Sequence, residues 1–564
     1  MRAFDPRISL LLLMGLVAVG AMPACAARPS ATPHIVESTY RQHIATLSSD
    51  AFEGRKPGSA GEVRTLDYLE QQFRQLGLQP GNGDSYRQPV PLVEITAATD
   101  AHLSVHGSGA QAGVSLDLTY GQDVMLWTKR VQPASSIEAS QLVFVGYGIV
   151  APEYGWNDYA GIDMHGKTAV ILINDPGFAT NDPTLFKGRS LTYYGRWTYK
   201  FEEAARQGAA GAIIIHDTAG AAYGWDVVQT SWSGPQLDAA SPDGNAGRVA
   251  LEGWITSEAG TKVAALAGQD LSALRQRAAQ RGFKPLALGL TASGGVRNLV
   301  RRANSANLVG IIPGRERPDE YVVYMAHWDH LGKALSFAGA AGDTLFNGAV
   351  DNATGVAGIL AIAEGFQQTK PRRSVVFLAV TAEESGLLGS AYYGNNPLYS
   401  LDKTAAVLNI DALHPLGRTR DVTVVGYGAS SLEDDLRGFA RAQGRVLRPD
   451  PVPERGYFFR SDHFNLAKHG VPALYMKAGA DLVDGGVPRA EALDREFTAL
   501  RYHKPADEYA ASWDVSGSLE DLELLYRVGV HEAQRRDWPT WYSDSEFRAI
   551  RERSAAARQQ RARH

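Results

Sequence analysis

The stretch Tyr321-Val-Val-Tyr-Met-Ala-His-Trp-Asp329 is an apolar run that stops at a histidine and an aspartate. Two later apolar runs also stop at acids: residues 374–382 before Glu383-Glu384, and residues 405–410 before Asp411. Such a run is typical of a buried strand whose end lies at the rim of a sheet. In open α/β sheets that rim is where active sites form. The pattern therefore predicts an α/β fold with a functional site at its strand ends.

The acids and imidazole of this rim predict a metal site. The candidate groups are His327, Asp329, Asp351, Glu383, Glu384 and Asp411. Buried carboxylates at this density repel one another unless cations hold them. Neutral imidazole together with carboxylate is a ligand set that zinc accepts. We therefore expect a metal centre at this rim with more than one ion.

Length and composition indicate an ordinary globular protein of several domains. The chain has 564 residues, of which 44% are hydrophobic and 21% charged, so two or three domains are expected. The formal charge of −5 is small for this length. It gives no argument for nucleic acid or an anionic membrane surface as a partner.

The first residues resemble an export signal. Arg2 and Arg7 flank the start of an apolar stretch at 8–21, and Ala24-Cys25-Ala26 offers small residues for cleavage. The stretch is too short for a transmembrane helix. We expect a signal peptide at 1–26 and export to a bacterial periplasm or the medium. The alternative is a lipid anchor on Cys25, the one cysteine of the chain.

The remaining chain reads as a succession of parts. Residues 60–76 predict an amphipathic helix with Val63, Leu66, Leu69, Phe73 and Leu76 on one face. The expected parts are an N-terminal part of the catalytic domain (35–134), an insert without a ligand cluster (135–290), the catalytic domain (295–540) and a basic C-terminal tail (541–564). The tail is expected to be an exposed helix or a frayed end.

Several candidate groups have a plain structural alternative. Asp351 stands before a small and apolar helical run and could simply cap that helix. Glu383-Glu384 could be a solvated acidic turn, although the apolar strand before it argues for a buried position. Asp329 suits a role in orienting an imidazole or a catalytic carboxylate. Spacing alone does not select a further histidine ligand among five candidates: His330, His414, His463, His469 and His503.

Five ordered motifs resemble the zinc aminopeptidase family that includes the bacterial leucyl aminopeptidases and glutamate carboxypeptidase. The motifs are His327-Trp-Asp-His-Leu-Gly, Gly348-Ala-Val-Asp-Asn-Ala-Thr-Gly, Ala382-Glu-Glu-Ser-Gly-Leu-Leu-Gly-Ser, Asn409-Ile-Asp and Tyr502-His-Lys-Pro-Ala-Asp. The resemblance covers nearly the whole expected mature chain, including the segment Leu47-Ser-Ser-Asp-Ala-Phe-Glu-Gly-Arg near its start. The resemblance implies a zinc exopeptidase fold, with a mixed, mostly parallel central sheet flanked by helices. The 135–290 insert then resembles a β-rich protease-associated domain.

The resemblance also implies roles for the individual residues. Two Zn²⁺ ions per chain would be held, one by His327, Asp351 and Asp411 and the other by Asp351, Glu384 and His503. Glu383 would be the general base and then the acid, and Asp329 would orient His327. The implied reaction is hydrolysis of N-terminal peptide bonds of peptide substrates by a zinc-bridging hydroxide.

The substrate pocket is assigned by the same resemblance. The segment Ser461-Asp-His-Phe resembles a pocket-lining segment, which nominates Asp462 and His463. Some relatives carry an oxyanion-stabilising tyrosine three residues before that serine. Here that position is Phe458, so the neighbouring Tyr457 takes its place as a weaker candidate.

Three alternatives stay open. A carboxypeptidase or dipeptidase of the same fold would need arginines near the pocket, and Arg455 and Arg460 are available. A glutaminyl-cyclase-like acyl transferase uses this fold, generally without the insert. A receptor-like binding protein that has lost its metals would lack ligands or base, whereas all are present here. The oligomeric state is not indicated.

Overall fold

The three apolar runs form neighbouring strands in the computed structural model of this chain. The structure describes residues 35–109, 112–333 and 343–561. The predicted signal peptide and Cys25 lie outside the described residues. Within those three ranges, no helix has both the length and the apolar character needed to cross a membrane.

The strands run in both directions, and one strand of 27 residues is much longer than the others. In chain order they are β1 (Gln79–Pro80), β2 (Arg87–Ala97), β3 (His102–Gly107), β4 (Ser115–Leu118), β5 (Val124–Trp127), β6 (Ala134–Phe144), β7 (Val150–Ala151), β8 (Trp156–Asn157), β9 (Thr168–Leu172), β10 (Gly211–Ile215), β11 (Pro235–Ala239), β12 (Leu251–Ile255), β13 (Leu286–Ile312), β14 (Arg317–His327), β15 (Gly332–Lys333), β16 (Leu345–Phe346), β17 (Arg373–Val380), β18 (Thr404–Asn409), β19 (Asp421–Val425), β20 (Val446–Pro449) and β21 (Ala473–Ala478).

The helices lie between these strands and at both ends of the described chain. They are α1 (Glu37–Leu47), α2 (Ala60–Gln75), α3 (Pro176–Thr180), α4 (Trp197–Arg206), α5 (Thr218–Ala221), α6 (Trp225–Ser231), α7 (Ser257–Leu266), α8 (Leu271–Ala278), α9 (Thr354–Phe366), α10 (Leu388–Asn395), α11 (Leu432–Ala442), α12 (His463–Ala467), α13 (Gly486–Leu500), α14 (Ser516–Gln534) and α15 (Arg548–Arg561).

The first sheet contains the strands that precede the candidate site. Its strand order is β20-β19-β21-β18-β14-β17-β13-β2-β11. Its centre, β17, β14, β18 and β21, is parallel, and antiparallel strands complete it on either side. The predicted α/β class, with a mixed and mostly parallel central sheet flanked by helices, is confirmed.

Strand β14 shows why its sequence is an unbroken apolar run. Val322 and Tyr324 point into one buried cluster, together with residues of α9 and α14. Val323 and Met325 point into a second cluster on the other face, together with residues of α12. A parallel strand covered by helices on both faces must be apolar at every position, not only at alternate ones.

The second sheet is built from the middle of the chain and shares one strand with the first. Its order is β4-β3-β13-β6-β9-β10-β12-β5, with β6, β9, β10 and β12 parallel. The first half of the 27-residue β13 pairs with β3 and β6, and its second half pairs with β2 and β17. The two sheets are therefore joined through a continuous strand.

The two sheets do not follow the domain boundaries predicted from the sequence. Strands β3, β4 and β5 belong to the second sheet, although the sequence placed residues 35–134 with the catalytic domain. Strand β11 lies within the expected insert at 135–290 but pairs with β2 of the first sheet. Pairing across such sequence distances leaves no local signal. The division into domains stays a prediction.

Two local predictions are refined at the ends of the chain. Helix α2 begins after Ser59, whose hydroxyl accepts the amide of Glu62, but Val63 on its expected apolar face is 55% exposed. The C-terminal residues were expected to be solvated. Instead, Phe547 and Arg551 are buried, and Arg551 donates to the carbonyls of Thr404 and Ala405. The apolar and hydrogen-bonding side of α15 thus docks on the first sheet.

Candidate metal centre

The parallel strands bring their terminal acids and imidazole to one rim. His327 is the last residue of β14, Glu383 and Glu384 follow β17, and Asp411 follows β18. Strands β17 and β18 lie on either side of β14 in parallel register. Because parallel strands end at the same edge, side chains far apart in sequence meet there.

Asp351 reaches the same rim from a loop. Helix α9 begins at Thr354 and its N-terminal cap is Ala353, so Asp351 does not cap it. Its backbone amide donates to Asp507 Oδ2 at 3.1 Å, and the amide of Val350 donates to both oxygens of that carboxylate. The buried Asp507 thereby fixes the loop that presents Asp351.

The first group of potential ligands is centred on His327. Its Nε2 atom lies 3.3 Å from Asp351 Oδ1 and 3.4 Å from Asp411 Oδ1. One ligand atom from each of these residues lies within 4.8 Å of the other two. Ser461 donates its hydroxyl to the second oxygen of Asp411 at 2.6 Å, which fixes the orientation of that carboxylate.

The second group lies on the other side of Asp351. His503 Nε2 is 3.3 Å from Asp351 Oδ2 and 3.2 Å from Glu384 Oε2. The other oxygen of Glu384 is 2.6 Å from His330 Nδ1, and His330, Asp351 and Glu384 also form a compact set. Asp351 therefore presents one oxygen to each group. The structure brings all five predicted ligands together and adds His330.

The electrostatics of the cluster are those of a cation site. Burial alone would lower the pKa of His327, but Glu383, Asp351 and Asp411 raise it well above its ordinary value. Burial would raise the pKa of Glu384, but His503, aided by His330, holds it at about 2. Negative charge is thus concentrated on buried oxygens that face one another. Imidazole nitrogens and carboxylate oxygens of this kind suit zinc.

A comparison with known protein families finds a match for the part of the chain that contains the cluster. Residues 307–526, which contain every group of the cluster, match the family model described as Peptidase family M28. This stretch is called the M28 segment after that match. The match begins inside β13 and excludes most of the second sheet.

Curated relatives align over parts of the chain. The rat (Rattus norvegicus) aminopeptidase NAALADL1 is 32% identical over 140 residues, which cover 23% of this chain and 17% of the relative. A probable zinc metalloprotease of Pyricularia oryzae is 30% identical over 213 residues, or 36% of this chain and 41% of the relative. The chain spans well under half the length of either relative.

Solved structures align over longer stretches at lower identity. The aminopeptidase from Aneurinibacillus sp. strain AM-1 is 20% identical, with a TM-score of 0.47, over 90% of this chain and 95% of that one. A zinc aminopeptidase from Bacillus subtilis is 17% identical, with a TM-score of 0.40, over 91% and 97% of the two chains.

Asp329, within the M28 segment, contacts the backbone of Glu383 and Glu384. It is fully buried and accepts the backbone amides of Glu383 at 3.1 Å and Glu384 at 3.4 Å. Its carboxylate is 3.8 Å from His327 Nδ1, whereas its own backbone carbonyl lies closer to that nitrogen, at 3.2 Å. Burial raises the pKa of Asp329 to about 7. The side chain therefore positions the Glu383-Glu384 turn more directly than the imidazole.

Glu383 and Glu384 have different surroundings. Glu384 bonds to His330 and lies against His503, whereas no residue in the described ranges bonds to the Glu383 carboxylate. Burial raises the pKa of Glu383 well above its ordinary value. One of these adjacent acids thus lies among the potential ligands, while the carboxylate of the other has no hydrogen-bond partner among the described residues.

Arg55 lies outside the M28 segment but supports the loops of the candidate site. Sequence reasoning did not single it out. Its guanidinium is 1% exposed and donates to four carbonyls: Leu47 O, Trp328 O, Asn347 O and Gly348 O. It thereby ties the N-terminal part of the chain to the loops that carry His327 and Asp351. Arg55 ends the segment 47–55, which resembles the family near the start of the chain, so this segment was the available signal.

The three predicted pocket residues differ in their contacts. Asp462 is buried and accepts the hydroxyl of Ser390, and burial raises its pKa to about 7. The buried His463 ring lies 4.6 Å from the ring of Phe458 and 5.1 Å from that of Tyr475. The Tyr457 ring is covered by Lys477 Nζ at 3.9 Å. A substrate-binding role for Tyr457, Asp462 and His463 stays a prediction.

Proposed function

We propose that this protein is a zinc-dependent exopeptidase that releases N-terminal residues from peptides. The observation that carries the proposal is the convergence of two histidines and three carboxylates on one rim, beside a glutamate that bonds to none of them. The M28 match of the same residues supports a peptidase reaction.

The proposed metals fit the donor set of the rim. One zinc would be held by His327, Asp351 and Asp411, and a second by Asp351, Glu384 and His503. His330 would support Glu384 through its 2.6 Å contact. When bound, zinc polarises a carbonyl and lowers the pKa of water to about 7.

The protein residues supply proton transfer and positioning. Glu383 accepts the proton of the attacking water and returns it to the leaving amine. Burial raises the pKa of this carboxyl above its ordinary value. Asp329 holds the backbone of Glu383 and Glu384 in register with the rim. Tyr502 stacks on His503 at a ring distance of 4.0 Å and limits the movement of that imidazole.

We propose that the reaction takes place outside the cytoplasm. The support is the signal-like sequence at 1–26, with cleavage near Ala26 in preference to lipid attachment at Cys25. The N-terminal sequence of the protein secreted by its host, or its mass, would distinguish the two forms.

A carboxypeptidase is the second candidate because of two arginines. Arg196, from the second-sheet region, and Arg460, from the M28 segment, each keep a buried Nε without a partner in the described residues. Burial and the neighbouring Arg460 lower the pKa of Arg196 to about 9, while Glu383 raises it. Such guanidinium groups would recognise the carboxylate of a peptide end. Arg455 is exposed and bonds to Tyr457 OH instead.

A panel of blocked and unblocked peptides tests the two candidates. Each peptide is offered with a free or acetylated N-terminus and with a free or amidated C-terminus, before and after zinc removal. An aminopeptidase requires the free amine and tolerates the amide. A carboxypeptidase shows the reverse requirement, and its KM rises in Arg196→Ala. Turnover that survives removal of all metal would overturn both candidates.

A further inference from the structure

A second cluster of potential ligands lies between helices α11 and α14. One ligand atom each from Asp435, His531 and Glu532 lies within 4.8 Å of the other two. His531 Nε2 is 3.3 Å from Asp435 Oδ1. Asp435 belongs to α11, while His531 and Glu532 are neighbours near the end of α14.

Arg535 satisfies only half of this cluster. Its Nη1 atom is 2.9 Å from Asp435 Oδ2 and 3.0 Å from Glu532 Oε1. The other oxygen of Asp435 contacts His531 Nε2, and the other oxygen of Glu532 has no hydrogen-bond partner among the described residues. Arg373 also lies close to Glu532, so this carboxylate has two arginines nearby.

Glu532 is the observation that separates this cluster from an ordinary surface ion network. Its side chain is 0% exposed, and its Oε2 atom has no hydrogen-bond partner among the described residues. A buried carboxylate oxygen without a donor is costly. A cation bound beside it would remove that cost.

The cluster is remote from the candidate metal centre. Arg373, the first residue of β17, donates to the backbone carbonyl of Glu532 at 2.8 Å. Glu383 and Glu384 follow the opposite end of the same eight-residue strand. At about 3.3 Å per residue, the two clusters are roughly 25 Å apart. Neither can contribute ligands to the other.

We propose that Asp435, His531 and Glu532 bind one divalent transition metal, zinc first among them, as a clamp between α11 and α14. One imidazole and two carboxylates match the preferences of zinc, and water completes the coordination on the exposed side of His531. His531 is 43% exposed, so an ion can enter from solvent. The ion stabilises the packed helices because the unfolded chain has no such arrangement.

Metal counting tests the proposal independently of the peptidase reaction. Full-length wild-type protein, His531→Ala, Glu532→Gln and the control His106→Ala, an exposed histidine on β3, are dialysed against the same buffered free zinc. Elemental analysis should find one zinc per chain fewer in His531→Ala and Glu532→Gln than in the wild type and the control. His531→Ala should keep wild-type peptidase activity.

Equal zinc content in His531→Ala and the wild type would overturn the proposal, whatever the catalytic centre binds. The exposed position of His531 keeps this test valid if Glu532→Gln fails to fold. Anomalous diffraction at the zinc edge gives a second readout, with a peak expected among the three side chains. A crystal with zinc at the catalytic centre and no peak here would overturn the proposal.

Discussion

Asp507 is not one of the proposed metal ligands, but its role in the site can be tested cleanly. Its buried carboxylate accepts the amides of Val350 and Asp351 and holds the ligand loop in place. In Asp507→Asn an amide group would face these donors. We expect zinc affinity to fall by about 10- to 100-fold, as for other residues that orient metal ligands. Zinc titration against a chelator measures the change.

The control for this substitution is Asp514→Asn. Asp514 is an exposed aspartate whose carboxylate bonds to Ser516, at the start of α14. It should leave zinc affinity unchanged. Wild-type affinity in Asp507→Asn would show that the loop holds Asp351 without this carboxylate.

Individual site residues differ in how far the sequence reveals them. His327 and Asp411 end apolar strands, so pattern alone places them at the rim. His503 follows no strand and sits in a loop with a φ of 54°, so only the family resemblance nominated it. His330 was one of several competing histidines, and its contact with Glu384 depends on two strands meeting side by side.

Helices α1 and α2 are joined by a contact that should make stability depend on pH. His43 Nδ1 lies 2.6 Å from Tyr68 OH, and burial lowers the pKa of His43 to about 4. Between pH 6.5 and 4 the unfolded chain binds a proton that the folded chain does not. The free energy of unfolding should therefore fall with pH in that window, by at most about 3 kcal/mol from this group.

Chemical denaturation at pH 7 and pH 4.5 measures this contribution. His43→Gln keeps a polar group near Tyr68 but cannot titrate, so it should lose less stability than the wild type between the two pH values. His106→Ala, on the exposed side of β3, should behave as the wild type. Identical losses in His43→Gln and the wild type would contradict the assignment.

The elements near the site were easier to predict than those that join the two sheets. Strand β14 is apolar on both faces, which marks it as buried without knowledge of its neighbours. Strand β13 contains polar stretches such as Arg301-Arg302 and alternates between buried and exposed positions. Its length is set by partners far away in the chain, such as β2, where Leu308 pairs with Arg87, so local sequence does not reveal it.

At the level of the whole molecule, β13 should couple the two sheets during unfolding. Residues 286–297 bond to the second sheet and residues 304–312 to the first. We expect amides in both halves to lose protection at the same denaturant concentration, because the strand is continuous. Hydrogen exchange followed by mass spectrometry resolves the two segments. Earlier exchange of 286–297 alone would show that the second sheet unfolds separately.

The proposed reaction depends above all on Glu383, and Glu383→Gln tests it most directly. The substitution keeps the size of the side chain and removes its ability to accept a proton. We predict that kcat on an N-terminally unblocked peptide falls by roughly 10²- to 10⁴-fold, while zinc content equals that of the wild type. The control is Glu316→Gln, at an exposed glutamate directly before β14, and it should keep full activity. Full activity of Glu383→Gln with its zinc bound would contradict the assignment of Glu383 as the proton-transfer group.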